Sequence, residues 1–237
     1  MDVMHTPDDG HAAQGPDGAN TQARGAYAAG RARKAVIVQT ATELFGSTGF
    51  HSVSMLDVAA ACGISRAGLL HHFPSKELLL TAVLAERDAA DETVFRWSHS
   101  DDADGRPWLA RLVDLVAFNA TRPELIRLFA VLSAEATAPQ HPAHDYFVER
   151  YQGTRRGGRD AFGRAQLAGV LAADADPELL AIELIALMDG LQVQWLLDPE
   201  RVDMAATIRR WLASVLTAPL PASTTTSPPS PSEQTTP

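Results

Sequence analysis

Apolar residues recur along most of this chain at intervals of three and four, and they nowhere alternate with polar residues for long. That period belongs to helices, so the pattern predicts an all-α protein. Ile37, Ala41, Leu44, Phe45 and Thr48 share one helical face. They set a first helix over about 31–48, stopped by Gly49. Ser54 is suited to N-cap a short second helix running to about Ala61. Cys62-Gly63-Ile64 reads as a turn, and Ser65 caps a third short helix ending near Phe73. Pro74 disfavours helix at the residue before it. Ser75 then caps a fourth helix, expected to reach Trp97, and a polar loop covers 98–107.

The remainder predicts a helical body. One helix is expected over about 108–120. A second begins at Pro123 and runs to about Thr137, and prolines break the chain at 138–142. A third covers about 143–171, with an interruption expected at Gly157-Gly158. The last two span about 177–197 and 201–217. The 177–197 helix is apolar on most of its circumference, so it must be covered on several sides. A partner subunit is expected to supply part of that cover. Residues 1–30 and the Pro/Ser/Thr-rich 218–237 hold too few large apolar side chains to offset ordering entropy, and both are expected to be disordered.

Composition narrows the classes. The 237 residues suffice for one large domain or two small ones, and 46% are hydrophobic, as in ordinary globular proteins. No run of 18 uninterrupted apolar residues predicts a membrane span, and the acidic, polar N-terminus lacks the features of a signal peptide. Cys62 is the sole cysteine, which rules out an intrachain disulfide and fits a cytoplasmic location. The net charge is -9. Residues 31–80 nonetheless carry five basic side chains (Arg31, Arg33, Lys34, Arg66, Lys76) against three acidic ones (Glu43, Asp57, Glu77). A mildly basic head on an acidic body concentrates attraction for phosphate at one end.

The segment from Ser54 to Phe73 has helix-turn-helix spacing. Ala59 is small where the two helices cross, Gly63 turns the chain, and Leu69 packs back from the second helix. This arrangement lets the N-terminal half of one helix enter a major groove while the other braces it on the backbone. Taken alone, the segment also fits an ordinary helical hairpin. The wider context is more specific. The run Ala41-Thr-Glu-Leu-Phe-Gly-Ser-Thr-Gly-Phe50, the stretch from Ser54 to Gly63, and Gly68-Leu-Leu-His-His-Phe-Pro-Ser-Lys-Glu-Leu78 together resemble the tetracycline-repressor-like (TetR) family of regulators. The last two helices resemble that family's dimerisation pair. The resemblance implies a three-helix DNA-binding head over 31–75 and a helical ligand-binding and dimerisation body over 76–217. It further implies a homodimer through the helices at about 177–197 and 201–217, a double-stranded operator as partner, and a small-molecule effector whose binding displaces the fourth helix and releases DNA.

Candidate DNA contacts follow. Ser54 either holds a phosphate at its helix start or simply caps, and both roles are compatible. Ser65, Arg66, Ala67 and Gly68 begin the recognition helix. Arg66 either reads guanine through its guanidinium or meets a phosphate. Ala67 and Gly68 permit close approach to the groove. His71 stands where the family pattern has a Tyr, and its imidazole retains the ability to donate to a phosphate. His72 reads as packing or a backbone contact. By resemblance, Lys76 holds backbone phosphate; a solvated lysine is the alternative. Arg31, Arg33 and Lys34 form either an arm over the DNA or a solvated helix start.

In the body, Trp108, Phe118, Phe129, Phe147, Tyr151 and Trp195 are candidates to line an apolar cavity, with Glu135 and His144 as polar groups orienting a ligand. The His141-x-x-His144 spacing, broken by Pro142, does not make a metal site, and no cofactor is expected. No phosphate-cradling loop, G-x-S-x-G or H-E-x-x-H is present, so the sequence offers no catalytic residue. The rival class is a helical interaction module that does not read DNA.

Overall fold

The computed structural model describes residues 17–95 and 103–222. Among them run α1 (Asp17–Thr48), α2 (Met55–Ala61), α3 (Arg66–His72), α4 (Lys76–Phe95), α5 (Arg106–Asn119), α6 (Pro123–Glu135), α7 (His144–Leu167), α8 (Pro177–Leu197) and α9 (Met204–Val215). The described residues contain no strand beyond an isolated bridge between Leu171 and Leu216. The all-α expectation therefore holds.

Several boundaries differ from the sequence reading, among them the end of α7 at Leu167 rather than about 171. The first helix starts at Asp17 rather than near Arg31. Residues 19–31 include five Ala and two Arg, residue types whose intrinsic helix propensity is high. The body helix α7 is continuous, without the interruption expected at Gly157-Gly158. Those glycines instead permit close packing. A Cβ on Gly157 would fall 2.7 Å from the Trp108 ring, and one on Gly158 3.0 Å from Ala181 Cβ. At the C-terminal end, Pro219 accepts a hydrogen bond from Arg106 at 2.8 Å and Leu220 packs on the body, so the chain remains attached past position 218. The expectations for residues 1–16, for the end of the fourth helix at Trp97, for the first part of the 98–107 loop and for 223–237 lie outside the described residues.

Two apolar cores organise the molecule. The first gathers Ile37, Ala41 and Phe45 of α1, Val58 and Ala59 of α2, Leu69 of α3, and Leu79, Leu80 and Val83 of α4. It does not close at the foot of the head, because Leu128 and Leu132 of α6 and Phe147 of α7 belong to it. Close contact of α1 with α6 depends on Gly46, where an added Cβ would stand 3.0 Å from the Leu128 amide nitrogen. The second core joins α5, α7, α8 and α9 through Leu109, Phe162, Leu184, Ile208 and Leu212. Between the two cores lies a cavity.

Candidate nucleic-acid interface and ligand cavity

The head is built by local capping. Ser54 N-caps α2 in a capping box: its hydroxyl accepts from the Asp57 amide at 3.2 Å, while Asp57 Oδ2 accepts from the Ser54 amide at 2.8 Å and hydroxyl at 2.7 Å. These bonds hold the Asp57 carboxyl below its ordinary range. Gly63, at φ 63°, makes the turn into α3, with the Ile64 amide donating to Ala59 O at 3.0 Å. Ser65 caps α3 by accepting from the Gly68 amide at 3.0 Å. Leu69 is fully buried, and Phe73 closes the helix.

This packing decides what α3 presents to solvent. Ser65, Arg66, Ala67 and His71 are exposed, while Gly68 and His72 are half-buried. Arg31, Arg33 and Lys34 are also exposed, and the Lys34 ammonium lies 5.7 Å from the Phe73 ring centroid. The Ser54 hydroxyl is occupied by its capping box. Lys76 is neither simply solvated nor wholly available to phosphate. Its Nζ donates to Phe50 O and Val53 O, both at 2.9 Å, and lies 4.3 Å from the Phe50 ring centroid. An ammonium has three donors, so two clasp the α1–α2 loop and one remains.

The cavity has a volume of about 540 Å³ and takes its wall from α4 to α9. Of the eight residues expected to contact a ligand, Trp108, Phe129, Phe147 and Tyr151 line it. The other four do not. Phe118 stacks under the Arg122 guanidinium at 4.1 Å. Glu135 points to the head, where its Oε2 accepts from the Phe50 amide at 3.1 Å and lies 3.6 Å from His141 Nε2. His144 pairs through Nδ1 with Ala136 O at 2.8 Å. Trp195 packs on the second core. Spacing along the chain does not reveal which helix face meets the cavity. Among the described residues, no three potential metal ligands gather.

The cavity also contains charged groups that the sequence reading missed. Asp88 on α4 accepts at Oδ1 from Tyr146 OH at 3.0 Å and from Arg150 at 2.9 Å, both on α7. Arg87, almost wholly buried, lies 3.3 Å from the same oxygen and stacks on Phe129 at 3.8 Å. Across the cavity, Tyr151 OH donates to Asp189 Oδ2 on α8 at 2.7 Å. Burial pushes the Tyr146 and Tyr151 phenols up to about 12 each. It also raises the Asp189 carboxyl, against the opposing pull of the Tyr151 hydrogen bond and the Arg150 charge. A signal for Asp189 was present in the sequence, as one of few acids in the apolar 179–197 run. Arg87 and Asp88 gave none, since adjacent charges on a helix usually face water.

Comparison with known proteins places both parts. Residues 37–83 match the bacterial regulatory proteins of the tetR family, and residues 101–217 match the BetI-type transcriptional repressor C-terminal region. The chain is 25% identical over 183 residues to the HTH-type transcriptional regulator TtgR of Pseudomonas putida, covering 76% of this chain and 87% of that one. In structure it resembles a putative transcriptional regulator from Saccharomonospora viridis in complex with choline (TM-score 0.66, 25% identity, 78% of this chain and 98% of that one). The SmeT–triclosan complex has the same fold (TM-score 0.67, 20% identity, 84% and 99%).

Proposed function

We propose, from the premise that this chain belongs to the tetR family of bacterial regulatory proteins, that it is a dimeric repressor whose cavity takes an effector that releases DNA. The protein is a DNA-binding transcriptional regulator, and α3 is its recognition helix. Arg66 is the base reader, because it is the charged side chain exposed in the first turn of α3, next to the small Ala67 and Gly68. His71 and the remaining Lys76 donor meet phosphate. The cellular site of action is the bacterial cytoplasm, where the DNA lies.

The observation that carries the effector mechanism is the position of Asp88. Helix α4 holds the head at one end, through Lys76, and lines the cavity at the other, through Arg87 and Asp88. Asp88 ties α4 to α7 by its bonds from Tyr146 and Arg150. A ligand that draws those two side chains to itself loosens α4 and changes the separation of the two heads. In the DNA-bound dimer the recognition helices must reach successive major grooves, about 34–36 Å apart or slightly more. By linkage, DNA weakens effector binding by the same factor. The two ligand-bound relatives hold chemically unlike molecules, so neither ligand transfers to this chain.

The dimer forms through α8 and α9. Helix α8 leaves Leu179, Ile182, Val193 and Leu197 exposed on a single chain, with Leu197 at 81%. Its length and mean hydropathy of 1.5 would also suit a bilayer. It nevertheless packs along α7 and α9, and it carries Asp189 into the cavity.

The test is fluorescence anisotropy of the purified protein on the DNA upstream of its own gene, with competitor DNA and a salt series. Specific binding by two protomers, weakened by a cavity ligand, is the expected result. A ligand that binds the cavity and leaves DNA affinity unchanged would refute the mechanism.

A further inference from the structure

We propose that the loop between α6 and α7 is a proton-sensitive latch: neutral His141 holds the body against the head, and its protonation frees the loop and weakens DNA binding. The effect on DNA rests on the reading that the setting of the heads decides affinity. The His141 side chain is fully buried and belongs neither to the cavity wall nor to the recognition helix. It sits where head and body meet. Phe50 and His51 come from the loop after α1, Lys76 from the start of α4 and Glu135 from the end of α6. The His141 ring lies edge-on to Phe50 and His51, with centroids at 5.2 Å and 5.0 Å.

A single proton decides how this ring bonds. The Ala143 amide donates to Nδ1 at 3.1 Å, so the neutral ring carries its hydrogen on Nε2. That hydrogen has no acceptor. Glu135 Oε2 lies 3.6 Å away, beyond hydrogen-bond reach, and already accepts from the Phe50 amide. A second proton has to enter at Nδ1, where it faces the Ala143 N–H. The bond that folds the loop onto the ring is then lost, and two donors stand against each other.

The surroundings disfavour the imidazolium. The charged and titratable groups that act on it are His51, Glu135 and Lys76. His144, at the start of α7, is paired instead with Ala136 O. Lys76 is fixed at this corner by its bonds to Phe50 O and Val53 O. Burial holds His141 below the usual imidazole range, and the His51 and Lys76 charges add to this against the pull of Glu135. Opening the junction returns the ring to water, where its pKa is about 6.5. Between those two values the open form binds more protons. The latch is therefore at full strength above a pH of about 6.5 and is lost as pH falls through the folded value. Once released, the loop no longer backs Phe50, and the head is freed from its setting on the body. By linkage, DNA that selects the latched head opposes proton uptake by His141.

The experiment is hydrogen exchange of the full chain, read by mass spectrometry over 49–53 and 138–144 and corrected for the intrinsic pH dependence of exchange. Between about pH 8 and about pH 5, both segments of the wild type should lose about tenfold or more in protection. His141→Asn, whose side-chain oxygen can still accept from the Ala143 amide, should keep that protection. His51→Gln, at an exposed position, should move the loss to higher pH. No loss in the wild type, an equal loss in His141→Asn, or an unmoved midpoint in His51→Gln would each overturn the latch. If His141→Asn fails to fold, as its melting temperature at neutral pH would show, His51→Gln decides. Anisotropy on the upstream DNA at fixed ionic strength reads the consequence. Over the same range the wild type should lose at least about fivefold more affinity than His141→Asn. Charge gained on the exposed His71 or the half-buried His72 would attract phosphate, and it would do so in both proteins, so the difference isolates His141. A latch that opens with acid while DNA affinity follows that of His141→Asn would reject its control of DNA. A difference in affinity without a change in exchange would reject the latch.

Discussion

The Phe50 amide donates to Glu135 Oε2 at 3.1 Å, tying the last turn of α6 to the loop that follows α1. The same loop is held from the other side by Lys76, which donates to Phe50 O. Head and body are thus joined at Phe50 by a carboxylate of the body and an ammonium of α4, independently of the Asp88 link at the cavity. A half-buried charge-assisted bond of this kind contributes on the order of 1–3 kcal/mol. Glu135→Ala is expected to lower stability by that amount in chemical denaturation. It should also reduce the factor by which effector weakens DNA binding, and Glu135→Gln, which can still accept the bond, should recover part of both. Unchanged stability in Glu135→Ala would show that Phe50 is held without it.

Gly49 is expected to tolerate no side chain. Its φ is 82°, and an added Cβ would stand 2.5 Å from Glu135 Oε1. Gly49→Ala combines a left-handed backbone penalty of about 1–2 kcal/mol with displacement of Glu135 from Phe50. Its thermal midpoint should fall further than that of Glu135→Ala. A smaller fall would mean that the loop relaxes.

Arg66→Ala should weaken operator binding by about 1–3 kcal/mol and relax specificity at one base pair. Thermal stability should stay unchanged, since Arg66 is exposed. A uniform loss across unrelated sequences, with a shallower salt dependence, would assign Arg66 to phosphate instead.

Ile182 and Val193 are exposed on α8 of the isolated chain at 43% and 49%. Replacing both by Asp should leave the protomer folded and dissociate the dimer, since burying a charge in an apolar interface is strongly unfavourable. Sedimentation velocity reads the change directly, and operator affinity should collapse with it. A dimer that survives would place the interface elsewhere.

Stability should respond to pH through Asp189. Its folded pKa lies above the unfolded value of about 3.9. Between those two values the folded state binds more protons, so stability falls as pH rises through the window and then levels off. Asp189→Asn should remove this component from the pH profile of the melting temperature. An unaltered profile would mean that the carboxyl ionises as freely in the folded state as in the unfolded one.

Much of the architecture was legible because it is local. Ser54, Ser65 and Pro74 mark helix ends, the serines by capping and the proline by the clash of its ring with the residue before it, and these effects act within four residues. Gly49 and Gly63 mark turns because they alone accept a positive φ there without strain. The Ala-rich start of α1 was misread because helix propensity and apolar content disagree there: the segment is a good helix former with few large apolar residues. The glycines at 157 and 158 were misread for a similar reason. A glycine pair breaks a helix in isolation, yet here it makes room for Trp108 and Ala181.

The sequence by itself determined an all-helical chain, the helix-turn-helix with Arg66 at the start of its exposed helix, and an α8 too apolar to stand uncovered. Each of these follows from periodicity, capping or composition. Only the tertiary structure decided which side chains meet. It turned Glu135 away from the cavity and onto Phe50, spent two donors of Lys76 on the head, and set Asp88 and Asp189 within the cavity wall. Those pairings join residues 38 to 85 positions apart in the case of Asp189 with Tyr151 and Phe50 with Glu135. They depend on the rotation of each helix about its own axis, which is fixed by how whole apolar faces interlock and not by any local run of residues.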